Sequence, residues 1–332
     1  MSRMGLRGAG WFLLLGLVVA GMMLAPSTLA QRSKYIRYST AFGRNYVYLR
    51  DVAAYYGMQL VPGRDGCELR SSYSKVRVTY DKRQAEVNGV KIHFLFAPFR
   101  QGTEPLVSEM DFMLVIEPVL RAKSVTPHRI ATIMIDPGHG GGDFGASGTL
   151  HREKDITLRI SQKLRDALQR RGYRVVMTRI GDSKLELSQR TGACSRQRPD
   201  LFISVHCNAA AARTAHGIET FVMTPAKAPS TSDQRGKDKA EPGNGSDRQN
   251  MRLGYSIHQQ LVLRGGTEDR GVRHARFYVL RNVACPAVLV ETGFLSNYAD
   301  QVRLGRDDYQ RIVAESIADG IARYHRDIRG GK

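Results

Sequence analysis

The chain has 332 residues, 42% of them apolar and 24% charged, with 50 lysines and arginines against 31 acidic residues for a formal charge of +19. Such a composition excludes a wholly disordered chain, and the length favours two domains over one. The positive excess favours anionic polymers as partners, but the charges are scattered, without the interleaved basic and aromatic residues of a nucleic-acid groove, so no nucleic-acid partner is expected.

In chain order, Arg3 and Arg7 precede WFLLLGLVVAGMMLA (11–25), then Pro26 and the small residues STLA ending at Ala30. This is the layout of a secretory signal peptide over 1–30, cleaved near Ala30. The alternative, a membrane anchor, needs roughly 20 apolar residues, and this run is shorter. No cysteine follows it, so nothing suggests a lipoprotein. Export to the periplasm or cell envelope is therefore expected, and it makes cell wall or an envelope surface the better anionic partner; the bland reading is that the charge only maintains solubility. Cys67, Cys194, Cys207 and Cys285 lie far apart. In an oxidising compartment they allow three pairings, and spacing does not choose among them.

Residues 31–125 read as a small β-rich α+β domain. VYLRDVAAYYGMQLVPG (47–63) predicts a strand edge and a short helix closed by glycine. KVRVTYDKRQAEVNGVKIHFLF (75–96) alternates apolar and polar residues on both sides of Asn88-Gly89, a strong hairpin signal. PLVSEMDFMLVIEPVL (105–120) predicts an amphipathic helix that Ser108 could cap. The NG hairpin and the PLV helix start resemble the copper amine oxidase type N-terminal domain of wall-associated proteins, with no metal residues carried over. Residues 124–129, containing a proline, read as a linker.

From 126 to 330 strands alternate with helices. Strands are predicted at ATIMID (131–136), YRVVMTR (173–179), DLFISVH (200–206), IETFVM (218–223) and AVLVE (287–291). Helices are predicted over 153–171, 250–263 and 307–323. Apolar strand runs separated by helices argue for an α/β domain with a mostly parallel central sheet covered on both faces. Ile156, Ile160, Leu164 and Leu168 mark the buried stripe of the first of these helices, and Gly172 stops it. Residues 224–248 hold almost no large apolar side chain and read as a polar, flexible, solvated loop.

Three polar residues share one topological position. His139 follows the strand that ends at Asp136, His206 ends a second strand, and Glu291 ends a third. In a parallel sheet these C-terminal edges line up, and open α/β proteins place their sites there. Glu153 begins the helix returning from the same edge. Two imidazoles and a carboxylate satisfy the preference of zinc for three protein ligands with a fourth position left to water. A metal so held would lower the pKa of water toward about 7 and polarise a carbonyl, while a nearby carboxylate took the proton and passed it to the leaving nitrogen. Each residue also has a plain reading: hydrogen-bonding histidines, a first-turn acid that complements the helix dipole, and a structural ion-pair partner. Their coincidence at one edge favours a metal hydrolase. Cys207 adjoins His206 but points to the opposite face of a strand, toward packing.

The blocks IMIDPGHGGGDFGASG, EKDITLRISQKLRDALQRRGYRVVMTR, DLFISVHCNA and RGVRHARFYVLRNVACPAVLVETGFLSN resemble, in that order, the zinc-dependent N-acetylmuramoyl-L-alanine amidases of the amidase type 3 family, over about 130–324. The resemblance implies a phosphorylase/hydrolase-like three-layer fold with a six-stranded sheet, and one Zn2+ per chain. It implies cleavage of the amide between N-acetylmuramic acid and the L-alanine of the peptidoglycan stem peptide. It places the zinc ligands on His139, Glu153 and His206 and the catalytic general base and acid on Glu291. Asp136 and Asn208 become candidates for orienting a ligand or substrate, and Arg179 and Arg190 match family positions that carry either a substrate or a structural role.

The chain also departs from the family. Some division-associated members carry a helix after the fifth strand that blocks the zinc site until a partner removes it; 224–248 offers no such apolar plug, so that autoinhibition is not expected. No wall-binding repeat is present, which leaves 31–125 and the basic charge to contact wall or an envelope activator. Two alternatives stay open: a zinc peptidase acting on the stem peptide, and a wall-binding protein whose site is vestigial.

Overall fold

The computed structural model describes residues 35–232, 236 and 239–330, and the segment read as a signal peptide lies outside them. All that follows concerns the described residues. The first part of the chain is built from β1 (Tyr38–Ala41), β2 (Arg44–Tyr48), α1 (Leu49–Tyr56), β3 (Gln59–Pro62), β4 (Gly66–Arg70), β5 (Lys75–Thr79), β6 (Gln84–Val87), β7 (Val90–His93), β8 (Phe99–Gln101) and β9 (Glu104–Ser108). Gly57 closes α1 in the left-handed conformation. Asn88 and Gly89 both have positive φ, which gives the hairpin between β6 and β7 a twist that matches its strands. After β9, the Ser108 hydroxyl caps an irregular helix by accepting from the Asp111 N–H. That helix runs through α2 (Glu109–Asp111), a π-helical turn (Phe112–Ile116) and α3 (Glu117–Leu120). The sequence placed 105–107 in this helix; they pair in β9 instead.

The second part contains β10 (Thr132–Pro137), α4 (Glu153–Arg170), β11 (Arg174–Met177), α5 (Leu187–Gln197), β12 (Leu201–Asn208), β13 (Ile218–Met223), α6 (Asp247–Gly265), β14 (Asp269–Ala275), α7 (Tyr278–Arg281), β15 (Ala287–Phe294), α8 (Tyr298–Gly305) and α9 (Asp307–Ile328). Six of its strands line up as β11-β10-β12-β15-β13-β14. The pairs β11–β10, β10–β12, β12–β15 and β13–β14 are parallel, while β13 runs antiparallel to β15, so the sheet is mixed.

Period-two alternation explains why these strands are apolar throughout. Ile133, Ile135, Ile203, Val205, Val288 and Val290 face a core shared with Ile156, Ile160 and Leu164 of α4, Leu253 and Ile257 of α6, and Val313 and Ile317 of α9. Met134, Phe202, Phe221 and Leu289 face the other way, onto Cys194 of α5 and Val279 and Leu280 of α7. Helices therefore cover both faces, and each strand serves two cores.

From Tyr35 onward the described residues form one compact unit. Val272 of β14 pairs in parallel with Ile92 of β7, extending the six strands through β7-β6-β5-β4-β3 into one sheet of eleven, while β1-β2-β9-β8 form a separate antiparallel sheet. The Lys91 N–H donates to Asp269 Oδ2, and the Tyr255 hydroxyl donates to the Val87 carbonyl. The segment read as a linker is anchored at both ends, with Val125 within it and Ile130 just after it buried in the common core, while Thr126, Pro127 and Arg129 are exposed. The reading of 224–248 as a solvated loop also needs correction at both ends. Thr224, Ala228 and Ser230 are buried, a 3-10 turn forms over Pro242–Ser246, and α6 starts three residues earlier than its apolar pattern suggested. Polar partners replace apolar ones here: Arg276 donates to the carbonyls of Pro225 and Ala228, and Asn244 to that of Thr224.

Candidate metal centre

His139, Glu153 and His206 meet at the C-terminal edge of β10 and β12, each offering one ligand atom, all within 4.8 Å of one another. His139 stands two residues past β10 with φ of +59°, a left-handed conformation that histidine adopts more readily than most residues. Its backbone is held from outside. Arg190 donates to the carbonyls of Pro137 and His139, and Arg179 to those of Pro137, Gly138 and Lys154. The Thr157 hydroxyl also donates to the Gly138 carbonyl.

Glycine is required around the ligands for steric reasons. A Cβ on Gly138 would lie 2.4 Å from Cε1 of His206, and one on Gly145, whose φ is +65°, would lie 2.4 Å from Oε2 of Glu153 and 2.5 Å from Cδ2 of His139. Side chains are stripped from the loop because the ligand side chains occupy that space.

Glu153 opens α4, where a carboxylate also complements the helix dipole. Oε1 lies 2.8 Å from His206 Nδ1 and accepts from the Cys207 N–H, while Oε2 lies 3.1 Å from His139 Nε2 and accepts from the Ala146 N–H. Burial opposes its charge, but the hydrogen bonds and proximity of the two imidazoles outweigh burial and hold the carboxyl far below its usual range. For His139 burial works downward, yet bonds to Glu153 and Asp143 leave its proton affinity raised. Asp143 Oδ2 lies 2.9 Å from Nδ1 of His139, which turns Nε2 toward the site and fixes the ring.

Glu291 is the register partner of His206 across the β12–β15 ladder. Its residue is 9% exposed, and Oε2 is buried without a hydrogen-bond partner. Burial, reinforced by the negative charges of Glu153 and Glu219, pushes its proton affinity well above that of an ordinary carboxyl. An unpaired buried carboxyl oxygen is costly, and its position beside three ligand-type side chains suits a group that exchanges protons with something bound there.

The remaining candidates divide. Asp136 is fully buried and bonded to Arg190, Thr178 and Ser204, so its carboxylate is occupied in anchoring the strand end below the loop. Arg179 and Arg190 clamp backbone. Asn208 donates to Glu219 Oε2, on the strand beside Glu291. Cys207 packs in the core with Sγ 3.3 Å from the Thr292 hydroxyl, on the face expected for it.

Sequence reasoning missed Glu219. It pairs with Glu291 across β13–β15 and is bonded to both Arg270 and Arg273 of β14. The signal was a single acid inside the apolar run IETFVM followed some fifty residues later by two arginines three positions apart, legible only once β13 and β14 are known to be neighbours. Asp143 was missed too, although an acid four residues after a loop histidine is a local pattern.

The family model described as N-acetylmuramoyl-L-alanine amidase matches residues 133–323, a stretch that contains all four of these site residues. Among relatives, the chain is 36% identical to the uncharacterized protein YqiI of Bacillus subtilis, over 61% of this chain and 89% of that one. It is 34% identical to the N-acetylmuramoyl-L-alanine amidase LytC of the same organism, over 59% of this chain but 36% of LytC. Among solved structures it resembles the CwlD amidase from Clostridioides difficile, determined in complex with the GerS lipoprotein, at 30% identity and a TM-score of 0.50, covering 58% of this chain and 98% of that one.

Proposed function

On the premise that this chain belongs to the N-acetylmuramoyl-L-alanine amidase family, we propose that it is a metal-assisted hydrolase of peptidoglycan that cleaves the amide between N-acetylmuramic acid and the L-alanine of the stem peptide. The observation that carries this reading is the unpartnered Oε2 of Glu291 beside the convergent ligand atoms of His139, Glu153 and His206. Two imidazoles and one carboxylate form a donor set that fits a single zinc ion. When bound, zinc supplies Lewis acidity toward the scissile carbonyl and eases deprotonation of the attacking water.

This chain's own residues do the rest. Asp143 and the backbone donors of Ala146 and Cys207 orient His139 and Glu153 before anything binds. Glu291 takes a proton from water at a carboxylate oxygen and gives it back to the departing L-alanyl nitrogen, so the products are a lactyl carboxylate and a free amine. A proton affinity raised toward the working pH suits a group that must do both. Glu219, bonded to two arginines, stands opposite Glu291 across the ladder.

The proposal extends to location and partners. Export is the reading of the N-terminal sequence, and residues 35–125, joined to the site-bearing sheet through β7, offer a surface for wall or for an envelope partner; the CwlD structure, in complex with the GerS lipoprotein, lends support to a partner. Digestion of purified sacculi with the zinc-loaded protein, followed by mass spectrometry, tests the activity. Intact stem peptides with a free L-alanine amine are expected. Fragments cut within the stem would identify a peptidase instead, and no release with metal bound would leave a wall-binding protein.

A further inference from the structure

We propose that Cys194 and Cys285 form an oxidisable pair that closes into a disulfide, and that Cys67 and Cys207 remain thiols. The two sulfurs of the pair lie 3.8 Å apart although 91 positions separate them in sequence. Closure to the roughly 2 Å of a disulfide requires less than 2 Å of movement, within the reach of side-chain rotation. Both side chains pack in the smaller core, Cys194 buried on α5 and Cys285 half-buried just before β15. The other thiols have different neighbours. Cys67 lies against Tyr80 in the first part of the chain, and Cys207 against Thr292 in the larger core. Each complete pairing of the four cysteines needs two bridges, and the fold brings together the sulfurs of one pair only.

The position of the pair gives it a consequence. Cys194 stands one helical turn after Arg190, whose guanidinium holds the carbonyls of Pro137 and His139. Cys285 stands two residues before β15, the strand that presents Glu291. A bond between them ties the helix that braces one ligand loop to the strand that carries the proton-exchanging carboxylate. It also closes a long loop in the unfolded chain, where a cross-link removes the most conformational freedom.

The chemistry is thiol–disulfide exchange with a small-molecule or protein disulfide as the oxidant. One thiolate of the pair attacks that disulfide, forms a mixed disulfide and releases one thiol. The other then attacks the sulfur of the first and expels the second thiol. Two protein thiols are oxidised, one external disulfide is reduced, and both protons pass to the released thiolates. The contact draws the Cys194 proton affinity down and, together with burial, pushes that of Cys285 up.

The test needs neither peptidoglycan nor metal, so its outcome is separate from that of the hydrolytic reading. The full chain is purified reduced, equilibrated with excess glutathione disulfide, quenched in acid, denatured and alkylated with N-ethylmaleimide. Two alkylated cysteines and one cross-linked peptide pair containing Cys194 and Cys285 are expected. Cys194→Ser should instead trap glutathione on Cys285, while Cys67→Ser should leave the cross-link intact. The oxidised protein should melt on the order of 5–10 °C above the same sample in dithiothreitol. Four alkylated cysteines after oxidation, a cross-link involving Cys67 or Cys207, or identical melting of the two forms would each overturn the proposal.

Discussion

Glu219 and Glu291 face each other across the β13–β15 ladder, one bonded to two arginines and the other with an oxygen bonded to nothing. Neighbouring acids on one sheet face cost stability, and the fold accepts that cost at Glu291. Replacement of Glu291 by Gln removes the charge but none of the three ligand-type side chains. We expect the variant to retain one zinc per chain by elemental analysis while its release of L-alanyl peptides from sacculi falls roughly 10²–10⁴-fold. Its melting temperature in the metal-free state should not drop below that of the parent. Retained turnover would remove Glu291 from the mechanism.

Gly138 faces the His206 ring so closely that an added methyl group must displace it. Gly138→Ala should therefore fold, as judged by far-UV circular dichroism, yet bind zinc at least about tenfold more weakly, because a ligand displaced by a fraction of an ångström no longer completes the set. Unchanged affinity in a competition titration against a chelator would contradict this assignment of the glycine.

Arg190 is buried against Asp136 and holds two carbonyls of the His139 loop. Arg190→Ala leaves a buried aspartate without its cation, a change that costs about 3–5 kcal/mol. Urea unfolding should register that loss. Arg190→Lys, with one compact donor group in place of a planar fork, should recover the charge but not both carbonyl contacts, and should restore stability more fully than zinc affinity.

The seam between β7 and β14 predicts a pH dependence. His274 is buried and His93 largely so, and burial pushes their proton affinities down, to about 3 and about 4. His274 Nε2 contacts the His93 carbonyl at 3.1 Å, and Nδ1 of each ring has no partner. The positive Arg83 opposes a proton on either ring, and Arg273 opposes one on His93. Both histidines fold neutral and are protonated first in the unfolded state, so their contribution is complete above about pH 6.5 and is lost as pH falls toward 4. Unfolding free energies at pH 7.5 and pH 5 should show lower stability at the acid value, and His93→Gln should flatten the difference.

What the sequence disclosed follows from which interactions are local. His139, Glu153, His206 and Glu291 were legible because each sits at the end or beginning of an element whose apolar pattern is strong, and element ends at one sheet edge must converge. Helix α5 was not seen because LSQRTGACSRQ turns only a few side chains inward and is built around Arg190. Strand β14, DRGVRHA, has too few apolar residues to announce itself; its arginines pair with the single acid of β13, Glu219, and its other edge meets β7. Segment 224–248 looked solvated because hydropathy does not register burial sustained by arginine and asparagine donors to carbonyls. The mixed direction of the sheet was hidden as well, since a strand's sequence does not state which way its neighbour runs.

The single-pair junction of β7 with β14 also bears on how freely the two parts of the chain could be separated. Cutting the gene at residue 126 would leave β14 as a bare border, its N–H and C=O groups open to the nearest foreign strand, and would unroof Tyr255 on α6. The first part works as a selvedge for the site-bearing half, joined to it at one register pair and through the Tyr255 hydroxyl.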